Sequence, residues 1–149
     1  MAAGNFTLYG LAKEAALEGR IDFDTDTFVA ILVTSSYTPS VNADDTYSDL
    51  SANELPTAGG YTVGGQVISP LTVSHSAGTV TVDSATNPSW GSSTLTAKYL
   101  VVVRRAGGSL VAGDLLVGYV DLNDGGGSVS TVAGTLSVTW NASGLFTLA

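Results

Sequence analysis

The run Leu100-Val101-Val102-Val103 is continuously apolar and stands within "TLTAKYLVVVRR", Thr94–Arg105. A strand-length run without a polar side chain needs cover on both of its faces, so it predicts a strand at the centre of a sheet. Ala106-Gly107-Gly108-Ser109 breaks it, and "DLLVGYVDL" (Asp114–Leu122) follows as its expected antiparallel neighbour. "TFVAILVTS" (Thr27–Ser35) is likewise apolar on both faces. Chains with several such runs and glycine-rich breaks fold as layered β proteins.

The remaining segments extend this pattern. "GYTVGGQVISPLTVSH" (Gly60–His75) keeps Val63, Val67, Leu71 and Val73 in one parity, and Pro70 predicts an edge or bulge there. The glycines of "GGYTVGG" (Gly59–Gly65) leave the pairing of that strand open. "GTVTVDS" (Gly78–Ser84) alternates, with His75-Ser76-Ala77-Gly78 as the hairpin connection. "GTLSVTW" (Gly134–Trp140) and "GLFTLA" (Gly144–Ala149) are expected to close the chain as a final hairpin through Asn141-Ala142-Ser143-Gly144.

One helix is expected, Phe6–Glu18. Asn5 is the candidate N-cap, Gly19 the C-cap glycine, and Phe6, Tyr9 and Leu17 the buried side. Gly10 inside the pattern costs about 1 kcal/mol relative to alanine. Tyr37–Ala58 carries Asp44, Asp45, Asp49 and Glu54 and reads as an extended surface excursion, with capping-box spacing at Ser51-Ala52-Asn53-Glu54. The expectation is one domain over residues 1–149: mainly β, an antiparallel β-sandwich of jelly-roll or Greek-key type with a short N-terminal α-helix.

Composition narrows the function. Five Lys and Arg stand against thirteen Asp and Glu, a net charge of -8, which argues against nucleic acid and anionic membrane as partners. No cysteine is present, so thiolate chemistry and zinc–sulfur sites are excluded. Charged residues make up 12% of the chain, about half the usual share, as suits a surface that packs on protein. The first residues lack a basic region and a long apolar stretch, so synthesis and folding in a cytoplasm are expected.

Candidate sites are few. Asp22, Asp24 and Asp26 occupy positions one, three and five of an EF-hand pattern, but the sixth is Thr27 and the twelfth Val33, where glycine and glutamate are needed. The stretch reads instead as the turn that opens the strand at Phe28, with a non-EF calcium site as the alternative. His75 has no nucleophile context, and Asp124–Gly127 lacks the Lys-Ser/Thr ending of a phosphate loop. No catalytic, cofactor-binding or metal residue is therefore assigned. Arg104 and Arg105 are expected to pair with carboxylates, the acidic excursion of this chain or of a neighbour being one candidate, and the sequence leaves the partner open. Trp90 and Trp140 read as core or rim aromatics; in the alternative, Trp90 and Tyr61 are candidates for glycan contact.

The order of the helix ending in "EAALEGRIDFDTDTFVAILV" (Glu14–Val33), "DDTYSDLSANEL" (Asp44–Leu55), "ATNPSW" (Ala85–Trp90), "AKYLVVVRRAG" (Ala97–Gly107), "LLVGYVDL" (Leu115–Leu122) and "LSVTWNASGLFTL" (Leu136–Leu148) resembles small virion structural proteins of tailed bacteriophages. The resemblance implies a non-enzymatic capsid decoration (cement) protein without cofactor. It would bind the major capsid protein, self-associate, often as a homotrimer, and reside in the virion after synthesis in the host bacterial cytoplasm. A tail, neck or fibre component that binds host surface glycans is the alternative it implies.

Overall fold

The computed structural model describes residues 4–149. In chain order the elements are β1 (Thr7–Leu8), α1 (Gly10–Leu17), β2 (Thr27–Val33), β3 (Gln66–Val67), β4 (Leu71–Ser76), β5 (Thr79–Ser84) and β6 (Ser89–Ser93). They continue with β7 (Thr96–Ala97), β8 (Tyr99–Arg105), β9 (Leu115–Asp121), β10 (Val129–Ser130), β11 (Gly134–Ser137) and β12 (Phe146–Leu148). The fold is mainly β, with antiparallel sheets and one short helix, as the sequence predicts.

The three apolar runs form the heart of a five-stranded sheet ordered β1-β9-β8-β2-β3. Thr27 lies opposite Arg105 and Val33 opposite Tyr99, so β2 and β8 pair over their full length. Every side chain from Phe28 to Val33 is fully buried. Each such side chain contributes about 1.5–3 kcal/mol by leaving water, which is why this register is strongly specified. A bulge between Val102 and Val103 shifts the pairing with β9.

Antiparallel partners share a face. Ile31, Val101 and Tyr119 therefore lie on one side of the sheet, and Ala30, Val102 and Gly118 on the other. Helix α1 covers the first side, with Tyr9 against Tyr119 at 5.5 Å between ring centres. On the second side the ring of Phe6 lies on Gly118, where a Cβ would stand 2.4 Å from it. Phe6 stacks on Phe146, which meets Phe23, which stacks on Phe28. Phe146 belongs to a second sheet ordered β12-β5-β4, and β6–β11 and β7–β10 form two further antiparallel pairs.

The helix is shorter than the predicted Phe6–Glu18. Thr7 and Leu8 are extended and pair with Tyr119 and Gly118, and Tyr9 is the N-cap residue without a side-chain cap bond. Asn5 is therefore not the cap. The physical reason is that β9 would otherwise offer an open edge, and the two residues of β1 pair with it while Phe6 fills the space over Gly118. The stop is as expected at Gly19. Its N–H bonds to the carbonyl of Ala16 (3.2 Å) and that of Arg20 to Ala15 (2.8 Å), a Schellman ending. Leu17, expected inside, is 92% exposed. Replacing Leu17 with Glu should change the urea midpoint by less than about 0.5 kcal/mol equivalent, since nothing packs on it.

The Ala77-Gly78 hairpin joins β4 to β5 with positive φ at both residues, as expected of a two-residue turn. The long strand expected over Gly60–His75 is two short ones, β3 and β4, interrupted at Ser69-Pro70. The final hairpin does not form. β12 pairs with β5, Phe146 opposite Val82, while β11 pairs with β6.

Tyr37–Ala58 is stitched into the body, not carried outside it. Leu50 is fully buried and Tyr37 and Leu55 nearly so. The Thr34 N–H bonds to Asn53 and the Leu55 N–H to Leu32, both at 2.9 Å, and Leu116 bonds to Asp45 at 3.0 Å. The capping box of this segment is Thr46 with Asp49, not Ser51 with Glu54, because the Glu54 carboxylate is used elsewhere.

Candidate functional site

The three aspartates of the Asp22–Asp26 turn do three different things. The Asp24 N–H bonds to the Asp22 carboxylate (3.0 Å), and the Asp22 N–H bonds to Asp26 Oδ2 (2.9 Å). Asp24 Oδ1 accepts the Val73 N–H of the edge strand β4 (3.2 Å). Arg104 grips Asp26 with Nε at 2.9 Å and Nη2 at 3.0 Å. The carboxylates are thus spent in tying a turn to two strands, as the turn reading expects. Among the described residues no group of three His, Cys, Asp or Glu converges as a metal site. Arg104 finds its partner here and not in the Tyr37–Ala58 segment, because β2 and β8 are paired and bring Asp26 alongside it.

Burial pushes the Asp26 carboxyl up, but the Arg104 hydrogen bond, the Asp22 N–H and the guanidinium charge outweigh it. The net effect holds Asp26 below the usual carboxylate range. A lowered folded-state pKa means stability that is present above the unfolded value, about 3.9, and is lost as pH falls through the folded one. Asp26→Asn should therefore cost about 2 kcal/mol at pH 7, the range for a hydrogen bond to a charged group. In urea unfolding the gap between variant and parent should close steadily below about pH 4. A gap that stays constant into acid would show that the ion pair is not its source.

A second polar centre is internal. Glu54, 8% exposed, accepts the hydroxyls of Tyr47 and Tyr61 (2.6 Å for Tyr61) and the N–H of Gly64 (2.7 Å). The Tyr61 hydroxyl also receives the Leu32 N–H of the central sheet (3.2 Å). Burial first, then the Glu54 charge and hydrogen bond, push the Tyr61 hydroxyl far above its ordinary range. Tyr61 is therefore a fixed donor. Across the core, Tyr9 donates to Tyr37, which donates to Asp44, each at 2.7 Å. Burial, then the bonds to Tyr9 and Asp44, likewise hold Tyr37 protonated. Such groups shape loops and supply no nucleophile.

Trp90 is 4% exposed and Tyr61 2% exposed, and their rings pack on each other at 6.0 Å. Trp90 is thus a core aromatic, as its first reading has it, and neither ring is available to a glycan, which removes them from the alternative of a sugar platform. Their burial follows from Glu54 and Leu32 drawing the Tyr61 hydroxyl inward.

The glycine-rich Asp124–Gly127 loop wraps its own cation. Lys98 Nζ donates to Asp121 Oδ1 (2.7 Å) and to the carbonyls of Asn123 (3.0 Å) and Gly126 (2.7 Å). Its carbonyls, not its amides, face inward at this point, the reverse of a phosphate cradle. His75 is exposed on β4. Asp114, 2% exposed, holds the turn before β9 through the N–H groups of Ala106 (3.0 Å) and Val111 (2.9 Å).

Lys98 and Asp114 carry no pattern that sequence reading would select, except that Lys98 interrupts a strand-forming run, and Glu54 is selected only for a capping box that it does not form. A cavity of about 460 Å³ lies where the N-terminal arm meets the last strands, lined by Asn5, Phe6, Trp140, Asn141, Ser143 and Phe146 among others. Among the described residues no helix is long and apolar enough to cross a membrane. No family model, curated protein or solved structure matches this chain.

Proposed function

We propose that this chain is a non-enzymatic structural protein of a tailed-phage virion, and more narrowly a capsid decoration protein that binds and stabilises the shell of the major capsid protein. The observation that supports it is how the molecule uses its buried charges. Glu54, Lys98 and Asp114 each hold a long connection in one shape by binding its backbone. Loops fixed in this way lose little freedom on docking, so a modest interface repeated over a lattice suffices. Its place on this reading is the virion, after synthesis in the host bacterial cytoplasm, with the capsid protein and further copies of itself as partners.

A second reading, a tail, neck or fibre component that binds neutral glycans, has its support in the cavity whose lining carries no charged side chain and includes Phe6, Trp140, Phe146, Asn5 and Asn141. Electron microscopy of purified virions that carry this chain decides between them. Density repeated across the capsid lattice is the expected result. Copies confined to the neck, tail or fibres would overturn decoration in favour of the second reading.

A further inference from the structure

The six tyrosines of this chain divide into two kinds. Tyr9, Tyr37, Tyr47 and Tyr61 each spend the hydroxyl on a partner inside the fold. The hydroxyls of Tyr99 and Tyr119 find none among the described residues. Both rings are half-buried and line a cavity of about 320 Å³.

The register of the central sheet builds this place. Tyr99 lies opposite Asp121 and Val101 opposite Tyr119, so Tyr99, Tyr119 and Asp121 stand on one face. It is the face that α1 covers, but Thr7 pairs with Tyr119 and α1 begins only at Gly10. The Tyr99–Asp121 end of the sheet therefore lies past the start of the helix, and Thr38 of the connection after β2 lines the same space.

The two rings are held as walls. They meet at 86° with centres 6.0 Å apart. Tyr99 also packs on Tyr37 at 6.1 Å and Tyr119 on Tyr9 at 5.5 Å. Tyr9 and Tyr37 are buried and hydrogen-bonded to each other. Four rings thus brace one another in a closed circuit, and walls fixed in advance lower the cost of binding.

The charge beside them is negative. Asp121 and Asp124 line the cavity and converge on the N-terminal arm. A Cβ at Gly4 would stand 3.5 Å from the Asp124 carboxyl carbon and 3.6 Å from Asp121 Cβ. Lys98 offsets Asp121 and is otherwise spent on two loop carbonyls. Asp124 is exposed and pairs with no cation among the described residues. Lys98 also shows what suits these rings, since its Nζ stands 5.7 Å from the centre of the Tyr99 ring.

We propose that this cavity binds an alkylammonium group, seated against Tyr99 and Tyr119 with Asp124 as its counter-ion. Aromatic rings attract a cation within about 6 Å of their centres, and the Thr38 hydroxyl and Asn5 amide oxygen are neutral acceptors for its N–H groups. An anion would meet two carboxylates. A neutral apolar ligand would strip water from Asp124 and two hydroxyls without replacing it. The site stands or falls apart from the virion reading.

Titration of the isotope-labelled chain at constant ionic strength, followed by amide chemical shifts, tests it. The probes are n-butylammonium, Nα-acetyl-lysine amide and, as the uncharged counterpart, n-butanol. The expected result is saturable shifts at Asn5, Thr38, Tyr99, Tyr119 and Asp124 with both ammonium compounds and none with n-butanol. Tyr119→Leu removes one ring and Asp124→Asn the counter-ion, and each should weaken binding about 2- to 5-fold. Glu18→Gln takes the same charge from the far end of α1 and should leave binding unchanged. The urea midpoint shows whether Tyr119→Leu folds, and Asp124→Asn, on an exposed loop, carries the test if it does not. Tighter binding of the lysine compound assigns the ammonium to a protein side chain, and tighter binding of n-butylammonium to a free amine; both uphold the site. Failure to saturate, an equal response to n-butanol, or an equal loss in Glu18→Gln overturns it.

Discussion

Gly65→Ala is expected to cost about 2–5 kcal/mol or to abolish folding, from a left-handed backbone penalty of about 1–2 and an overpacking cost of about 1–3. Gly65 has φ +64°, and a Cβ there would stand 2.0 Å from the carbonyl oxygen of Ala30 and 2.8 Å from its carbon. That carbonyl belongs to β2, paired on both sides, so it has no room to retreat. The neighbour supplies the control. Gly64 has φ +94°, but nothing lies within 4 Å of where its Cβ would be. Gly64→Ala should therefore lose only the backbone penalty, about 1–2 kcal/mol. Urea midpoints of the two variants make the comparison. Equal losses would mean that the approach to Ala30 is not what fixes this turn.

Glu54→Ala should be comparably severe. It strands two tyrosine hydroxyls and the Gly64 N–H in a buried site, each at about 1–3 kcal/mol, partly relieved by rotation of the hydroxyls. The expected net loss is about 3–5 kcal/mol, above the roughly 0.5–3 kcal/mol of most single substitutions. Glu54→Gln keeps one acceptor oxygen in place and should recover about half of that loss. The urea slope should stay unchanged in both, since the same surface is exposed on unfolding. A Glu54→Gln variant as damaged as Glu54→Ala would make the negative charge, and not the acceptor count, the source of stability.

The parts of the fold legible from sequence are those where a local pattern and a global need agree. β2, β8 and β9 announce themselves because a central strand must be apolar on both faces, and Val101 or Ile31 has no other reason to stand in such a run. Gly19 announces the end of the helix because its position relative to Ala15 and Ala16 is set within one turn. The beginning of the helix is illegible for the opposite reason. Phe6 and Tyr9 have helical spacing, yet Phe6 to Leu8 take their conformation from β9, more than a hundred residues away. The partner of β12 is hidden in the same way. Gly144 to Ala149 reads as the second arm of a hairpin, but Phe146 finds Val82.

The polar sites divide along the same line. The Asp22–Asp26 turn is legible because Asp22, Asp24 and Asp26 bond to one another's backbone within five residues. Arg104 as the grip on Asp26 is not, since the contact spans the β2–β8 pairing. Glu54 looks like one more surface carboxylate, and only the meeting of Tyr47, Tyr61 and Gly64 around it makes it internal. Trp90 and Tyr61 look like a sugar platform for want of the same information.

The contact of Phe6 with Phe146 has a consequence for how the molecule is made. The central sheet cannot close until β8 and β9 have been synthesised, and Phe28, Phe23 and Phe6 have no lid until Phe146 follows them. A growing chain therefore holds its most apolar strand, β2, without its mate for some seventy residues of synthesis. Such long-range closure belongs to the slow end of folding. Until β8 emerges, β2 is an unpaired apolar strand, so association between nascent chains would begin there and not on the finished sheet.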